Sequence, residues 1–353
     1  MKIQKYLSVI FCGIFILFFS LWCYFVPTPE YSESERRTLA KFPEINIDSF
    51  WSGEFAKNFE EYTTDRFPMR DTWRSIKAYT RLYGLLQSEN NGVFVKDGHI
   101  SKLEYPMDTQ MLDYAVTLFN KLQKNHFQNN DVYFAVIPDK NQYLTDLKID
   151  IKELESYLYN KLSFCTPIYL EELLSKDDYY YTDSHWRQDK IIDVAEYITN
   201  SMGTDIPKTY NECQLEIPFN GVYVGQSALK CKPDTITYLT NDIINNLQVE
   251  GANAVYDMKK ANGKDAYEFF LSGNQPLVKI KNPSDTSGKK LIVFRDSFAS
   301  SIMPLIAQGY SEVTMIDLRY MNSMLLDEFV DFTNAQVLFL YSSSVLNTAT
   351  SLK

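Results

Sequence analysis

The chain has 353 residues, of which 45% are hydrophobic, 15% aromatic and 23% charged, a globular composition that excludes a disordered or fibrous protein. The length suffices for one large domain with insertions or for two modest ones. A formal charge of -10 and a pI near 5.0, with no long basic run, argue against a nucleic-acid partner, because phosphate binding needs a basic face.

Residues 6–26 (YLSVIFCGIFILFFSLWCYFV) carry no charge, and about 20 apolar residues span a bilayer as a helix. Lys2 and Lys5 precede the run, which assigns residues 1–5 to the cytoplasm and the chain beyond Pro27 to the outside. A cleaved signal peptide is the competing reading. Its apolar core would be about 7–15 residues, closed by a small-x-small site. This run is longer and ends in Trp22, Cys23, Tyr24 and Phe25, so an uncleaved anchor is preferred. Residues 27–41 are polar, hold two prolines and read as a tether.

Residues 42–107 are expected to form a membrane-proximal helical and hairpin region. Phe55, Phe59, Tyr62, Trp73, Ile76 and Tyr79 fall at helical spacing over 55–83, interrupted at Phe67-Pro68. Asp97-Gly98 marks a hairpin over 92–100. A first core part, 108–204, follows. It opens with a helix over 108–125 that packs on Leu112, Ala115, Val116, Phe119 and Leu122. The apolar run 131–138 suits a strand buried on both faces. A helix over 151–164, a strand over 166–170 and a helix over 186–202 come next, the last with Ile191, Val194, Ala195 and Ile198 inward.

Residues 205–289, rich in Asn and Thr, read as an insertion with short strands. The second core part, 290–353, alternates strands (290–294, 312–316, 336–341) with helices (298–307, 323–332). That alternation predicts βαβ units and a parallel sheet. Sites in such sheets lie at the carboxyl ends of strands, which here carry Asp139-Lys140, Arg295-Asp296-Ser297, Asp317-Leu318-Arg319 and Ser342-Ser343-Ser344. Of five cysteines, Cys12 and Cys23 are apolar filler in the anchor. Cys165, Cys213 and Cys231 remain, and an odd number cannot all pair. Cys213 and Cys231 flank a β excursion and are candidates for a disulfide, which geometry decides.

Only three histidines are present, so a His-dependent mechanism must use His99, His126 or His185. His99 sits beside the hairpin turn, where exposure is expected, and His126 at a polar helix end. His185 follows Asp183 by two residues, near enough in a bend for the carboxylate to accept the imidazole Nδ1–H and fix its tautomer. The plainer alternative is that Asp183 or Ser184 caps the next helix. Ser297 ends a strand and opens a helix, which exposes its hydroxyl beside backbone N–H groups able to form an oxyanion hole. No G-x-S-x-G elbow is present, and here too Asp296 or Ser297 could serve as a plain helix cap. No H-E-x-x-H or zinc spacing supports a metal, and no Walker motif or G-x-G-x-x-G supports a nucleotide cofactor. The 25 Tyr and 23 Phe are read mainly as core, with sugar stacking a lesser use.

Three groups of segments resemble the DHHW protein family, relatives of the alginate O-acetyltransferases among SGNH-hydrolase-like proteins. One is Asp183-Ser184-His185-Trp186, where Ser184 replaces the family's first His and leaves the Asp-x-His pair intact. Another is Arg295-Asp296-Ser297-Phe298 followed by Asp317-Leu318-Arg319-Tyr320. The remaining group is Gly53-Glu54-Phe55, Phe59-Glu60, Asp65-Arg66-Phe67-Pro68 and Asn91-Gly92-Val93. The likeness runs from about Ser34 to the C-terminus, and its specificity lies in the shared order and spacing.

The resemblance implies a flavodoxin-like three-layer αβα sandwich on a mostly parallel sheet, with Asp-His preceding Ser in permuted order. It implies Asp183 as orienter, His185 as general base, and Ser297 as nucleophile and backbone oxyanion donor. Arg319, Ser342, Trp186 and Lys140 are the candidates for substrate or oxyanion contacts. Asn274 is less favoured, and a structural ion pair is the alternative for Arg319. The implied activity is O-acyl (acetyl) transfer to, or ester hydrolysis on, a cell-surface polysaccharide, without a cofactor. Implied partners are the glycan and a multi-pass membrane acyltransferase supplying the acyl donor. A non-catalytic, membrane-tethered glycan-binding or assembly protein with a degenerate fold is the alternative, and it would leave Ser297 beyond hydrogen-bond reach of His185.

Overall fold

A computed structural model describes residues 2–25, 29–32 and 34–353. The expected end of the span at Val26, tether positions 27, 28 and 33, and the side chains of Lys2 and Lys5 lie outside the described residues. The chain divides into two compact units, residues 1–91 with 224–231, and residues 92–223 with 232–353.

The first unit begins with helix α1 (Lys2–Phe25). Its window Tyr6–Cys23 has a mean hydropathy of 2.3 and no buried residue, so it is long and apolar enough to cross a membrane. The segment expected as a tether is instead pinned in its described part. Strands β1 (Tyr31–Ser32) and β2 (Arg37–Thr38) pair antiparallel. Arg37 and the Ala40 N–H both bond the buried Asp65 carboxylate, each at 2.8 Å. Helix α2 (Ile47–Trp51) is capped by Asn46, whose Oδ1 accepts the Ser49 N–H at 2.7 Å. The helix expected over 55–83 is two helices, α3 (Glu54–Asp65) and α4 (Arg70–Tyr79), the latter extended by a π turn over Thr80–Gly84. The break falls where Pro68 lacks an N–H and Met69 takes a left-handed φ of 56°.

The second unit opens with the hairpin β3 (Val93–Lys96) and β4 (His99–Lys102). Asp97 and Gly98 make its turn with φ of 51° and 83°, the double left-handed geometry that Asp-Gly favours. Helix α5 (Thr109–His126) buries all five of the residues expected to pack, from Leu112 to Leu122. Asp108 caps it through the Gln110 and Met111 N–H groups.

Strands β5 (Val132–Ile137) and β6 (Cys165–Ile168) flank helix α6 (Ile151–Tyr159). Helix α7 (Ile192–Ser201) begins later than expected. Residues 186–191 are not α-helical, because Tyr179 and Trp186 form an antiparallel bridge. Strands β7 (Asn211–Phe219) and β8 (Asp234–Thr240) pair as a bulged ribbon. Next come β9 (Gln248–Glu250), β10 (Leu277–Lys281), β11 (Lys290–Arg295), helix α8 (Ala299–Ile306), β12 (Glu312–Ile316), β13 (Ala335–Ser342) and the short helix α9 (Ser343–Leu346).

Seven strands form one sheet in the order β6-β5-β13-β11-β12-β10-β9. The five from β6 to β12 are parallel, and β10 pairs antiparallel on both sides. Residues 205–289, expected as an insertion, thus contribute β9 and β10 to the core sheet. Their alternation, with Val278 and Ile280 buried against Met315 and Val313, gives them a place on its edge. Each face is dry. Ala135, Ile137, Val293 and Leu340 meet α7 and α8, while Phe134, Val136, Phe294 and Phe339 meet α5 and α6. Helices on both faces of a mostly parallel sheet make the expected αβα sandwich. Among the described residues no disulfide forms. Cys213 in β7 lies 3.8 Å from the Thr240 hydroxyl, and the pair proposed with Cys231 is not made.

Candidate active site

Residues 178–187 fold into a miniature hairpin. Tyr180 N–H donates to the His185 carbonyl at 3.1 Å and Arg187 N–H to the Asp178 carbonyl at 2.8 Å. This puts Asp183 and Ser184 at the tip, so neither caps α7, whose N-terminus has no side-chain cap. The Asp183 carboxylate instead accepts the His185 N–H at 3.1 Å and approaches His185 Nδ1 at 2.6 Å, both through Oδ1. Its Oδ2 accepts the Val222 N–H at 2.8 Å. Gly221 is required beside it, since a Cβ there would collide with the Thr182 carbonyl and the Asp183 side chain.

Asp183 is buried. Burial taken alone would raise its pKa. The His185 ring and the hydrogen bonds from His185 and Val222 outweigh that and hold the carboxyl well below the usual range. An ionised carboxylate only accepts, so in the neutral imidazole Nδ1 carries the proton and Nε2 presents its lone pair. The Ser297 Oγ lies 2.8 Å from Nε2, and its hydroxyl donates to it. Asp183, His185 and Ser297 therefore stand in one hydrogen-bonded line. His185 and Ser297 retain partial exposure above the buried Asp183.

Ser297 is presented by a turn between β11 and α8. Asp296 Oδ1 accepts the Phe298 N–H at 3.0 Å and so holds the turn ahead of α8, whose N-terminus has no side-chain cap, and the serine hydroxyl goes to His185. Asp296 Oδ2 also receives the N–H and hydroxyl of Ser342, both at 2.7 Å. Beneath the turn, buried Arg295 bonds the Asp296 carbonyl at 3.3 Å, the Ser300 hydroxyl at 3.2 Å and the Gln275 carbonyl at 3.1 Å. Burial pulls its pKa down, against the pull of nearby Asp317.

Of the other residues singled out in the sequence, three are spent on the protein itself. Trp186 is fully buried, and its indole N–H donates to the Phe298 carbonyl and Ser301 Oγ, each at 3.0 Å. Ser342 is buried against Asp296 and caps α9 through the Val345 N–H. Lys140 is fully buried and clamps the hairpin, donating to the carbonyls of Tyr180 (2.9 Å), Tyr181 (3.3 Å) and Asp183 (2.6 Å). Burial lowers its pKa to about 8.

Arg319 makes the ion pair foreseen as its alternative, with Nε 2.9 Å and Nη2 2.6 Å from Asp317. Burial would lower its pKa, but Asp317 more than reverses that. Its Nη2 also reaches Asn274 Oδ1 at 3.5 Å. His126 pairs with Asp327. His99, expected exposed, is buried, stacked on Tyr181 at 4.3 Å, and pushed down to about 4 by desolvation.

Sequence reasoning missed two contributors. Tyr267 lies flat on the His185 ring, 3.8 Å between centroids. Val222 supplies a backbone donor to Asp183. Both fall in the stretch read as an insertion, and no local pattern marks either.

This arrangement, on an αβα sandwich at the carboxyl end of a central parallel strand, sets a serine hydroxyl on a histidine that a buried carboxylate holds from its other side. The fold is that of a DHHW family protein. The DHHW family protein of Eubacterium siraeum superposes with a TM-score of 0.60 at 20% identity, over 74% of this chain and 94% of that one. PatB1 of Bacillus cereus gives 0.59 at 21%, over 73% and 97%, and 0.58 in its form with a sulfonyl adduct, over 72% and 95% at 21% identity. The O-acetyltransferase domain of Pseudomonas putida AlgJ aligns more loosely, at 0.46 and 12% identity over 72% and 92%. No family model and no curated protein matches the chain.

Proposed function

We propose that the chain is an extracytoplasmic Ser-His-Asp enzyme that moves an acyl group, acetyl by preference, onto or off a hydroxyl of a cell-surface polysaccharide. The observation that carries this is the line from Asp183 through His185 to Ser297, with contacts of 2.6 and 2.8 Å. His185 Nε2 takes the hydroxyl proton as Ser297 Oγ attacks the acyl carbonyl. The tetrahedral oxyanion forms beside the Ser297 N–H. The protonated imidazole, steadied by Asp183, returns the proton to the leaving oxygen as the donor's ester bond breaks. A sugar hydroxyl, or water, then gives its proton to Nε2 and attacks the acyl-serine, and the imidazolium passes that proton to Ser297 Oγ as the acyl–serine bond breaks.

Transfer and hydrolysis share every residue named here. The acceptor decides between them. Lys2, Lys5 and the apolar α1 support a single-pass anchor with the N-terminus inside and the catalytic unit outside. That topology suits an acyl donor delivered across the bilayer by a multi-pass membrane acyltransferase, with the glycan as acceptor. A non-catalytic glycan-binding role is disfavoured by the 2.8 Å contact, since a lapsed site has no need to keep its nucleophile on its base. The test is to incubate the protein with an activated acetyl ester and locate the modification by peptide mass spectrometry. Acetyl on the peptide holding Ser297, absent in Ser297→Ala, supports the reading. A folded protein that never carries acetyl there contradicts it.

A further inference from the structure

The first unit is turned inside out. Among the described residues, fourteen large apolar side chains are exposed within 42–86, against twelve in the whole of 92–353. They are ordered by helix geometry. Ile47, Phe50 and Trp51 share one face of α2 and are 76%, 65% and 82% exposed. Met69, Trp73, Ile76 and Tyr83 follow the same face of α4 and its π turn, and all four are exposed. Leu85 and Leu86 continue beyond it, also exposed.

The charged face of α4 points the other way, into the unit. Arg74 pairs with Glu35 at 3.2 Å and donates to the Gly225 carbonyl at 2.7 Å, while Arg70 pairs with Glu35 at 2.5 Å and lies 3.4 Å from Asp65. A water-facing helix carries the opposite pattern. Exposed apolar faces of this extent mark a binding surface.

Contacts to α1 fix the level of this surface along the apolar helix. Phe19 stacks on Phe67, 5.2 Å between centroids, and Cys23 Sγ lies 3.8 Å from the Arg66 carbonyl. Trp22 and Cys23 line a cavity of about 470 Å³ together with Phe67, Pro68 and Met69. The apolar window ends at Cys23, so α4 starts at the depth where hydrocarbon gives way to headgroups. Trp and Tyr are favoured at that depth. Helix α3 keeps Lys57, Glu60 and Glu61 exposed and so retains a wet face.

We infer that α2 and α4 lie in the interfacial layer of the bilayer, with Ile47, Phe50, Trp51, Trp73 and Ile76 inserted among lipid headgroups and upper acyl chains. The occupant of this surface is lipid, continuous with the lipid around α1. The surface would hold the unit flat on the membrane whether or not α1 is later cleaved.

The test uses the full chain in vesicles of phosphatidylethanolamine and phosphatidylglycerol, with and without lipids brominated close to the headgroup. Trp22→Phe/Trp73→Phe leaves Trp51 and the buried Trp186, Trp22→Phe/Trp51→Phe leaves Trp73 and Trp186, and a variant lacking Trp22, Trp51 and Trp73 is the reference. The expected result is that Trp51 and Trp73 emit to the blue and lose most of their emission on brominated lipid, while the reference is unchanged. Emission from Trp51 and Trp73 quenched no more than the reference overturns the inference. A surface reserved for a protein partner gives that second result, since the vesicles contain lipid alone.

Discussion

The ring of Tyr267 lies on the imidazole of His185, 3.8 Å between centroids and 12° from parallel, and its hydroxyl stands 2.9 Å from Ser301 Oγ. Ser301 also receives the Trp186 indole N–H, so the platform under the base is tied to the helix that Ser297 opens. Tyr267→Leu removes the flat support, and a base displaced by about 1 Å costs on the order of 100-fold. We expect that loss in kcat, with KM little changed. Tyr267→Phe keeps the stack, gives up one hydrogen bond of about 1 kcal/mol and should retain most of kcat. Steady-state kinetics on a soluble acetyl ester separate the two. Equal loss in both variants would assign the effect to the hydroxyl.

Asp183→Asn keeps the shape of the hairpin tip but offers an amide where the imidazole needs an acceptor that cannot donate. The ring is then free to take the tautomer with its proton on Nε2, facing Ser297. A loss of roughly 10⁴ in kcat is expected, with far-UV circular dichroism unchanged. Activity within tenfold of the parent would remove Asp183 from the relay.

Lys140 acts through the hairpin. Lys140→Met leaves the carbonyls of Tyr180 and Asp183 buried without the Lys140 donor, while that of Tyr181 keeps the Ile100 N–H. At about 1 kcal/mol each, the expected destabilisation is roughly 2 kcal/mol, read from denaturant unfolding. In the fraction that stays folded, kcat should fall more than KM rises, because the tip that aims Asp183 is loosened. A variant with parental stability would show that the clamp carries little weight.

Asp139 gives a pH dependence with a definite sign. Burial and the nearby Glu104 push its pKa up to about 7. The unfolded chain then releases this proton first, and its binding deficit makes stability fall as pH rises from about 4 to about 7. Glu104, also raised by burial, works in the same direction. Asp139→Asn should flatten this decline and raise the melting temperature at pH 8 relative to the parent. The two proteins should converge near pH 4. Parallel melting curves at all pH values would contradict a protonated Asp139.

Much of this architecture was legible because apolar periodicity is local. Phe134 and Val136 point to one face of the sheet and Ala135 and Ile137 to the other, and the run VYFAVI announces a doubly buried strand. Leu112, Ala115, Val116, Phe119 and Leu122 announce α5 in the same way. The Asp-x-His pair and the serine at a strand end were legible as types of residue in suggestive places.

Long-range ties were not legible. Residues 186–191 carry apolar spacing that runs into α7, yet the pairing of Tyr179 with Trp186 overrides it. Lys140, Ser342 and Trp186 stand beside motifs or strand ends, where substrate contacts are expected. Their polar atoms are consumed by carbonyls, by Asp296 and by Ser301. Tyr267 and Val222 reach the site from a stretch whose own sequence says only that it holds short strands. The antiparallel edge of β9 and β10 was hidden for the same reason.

The most direct test of Ser297 as the nucleophile is the rate at which the protein cleaves a chromogenic acetyl ester, measured beside Ser297→Ala. Ser297 is partly exposed and its hydroxyl is spent on His185, so the variant should fold as the parent does. Turnover by the parent and a fall of at least about 10³-fold in the variant are expected, with unchanged melting. Turnover that survives the substitution, or a well-folded parent that shows none with any acetyl ester or oligosaccharide acceptor, would contradict Ser297 as the nucleophile.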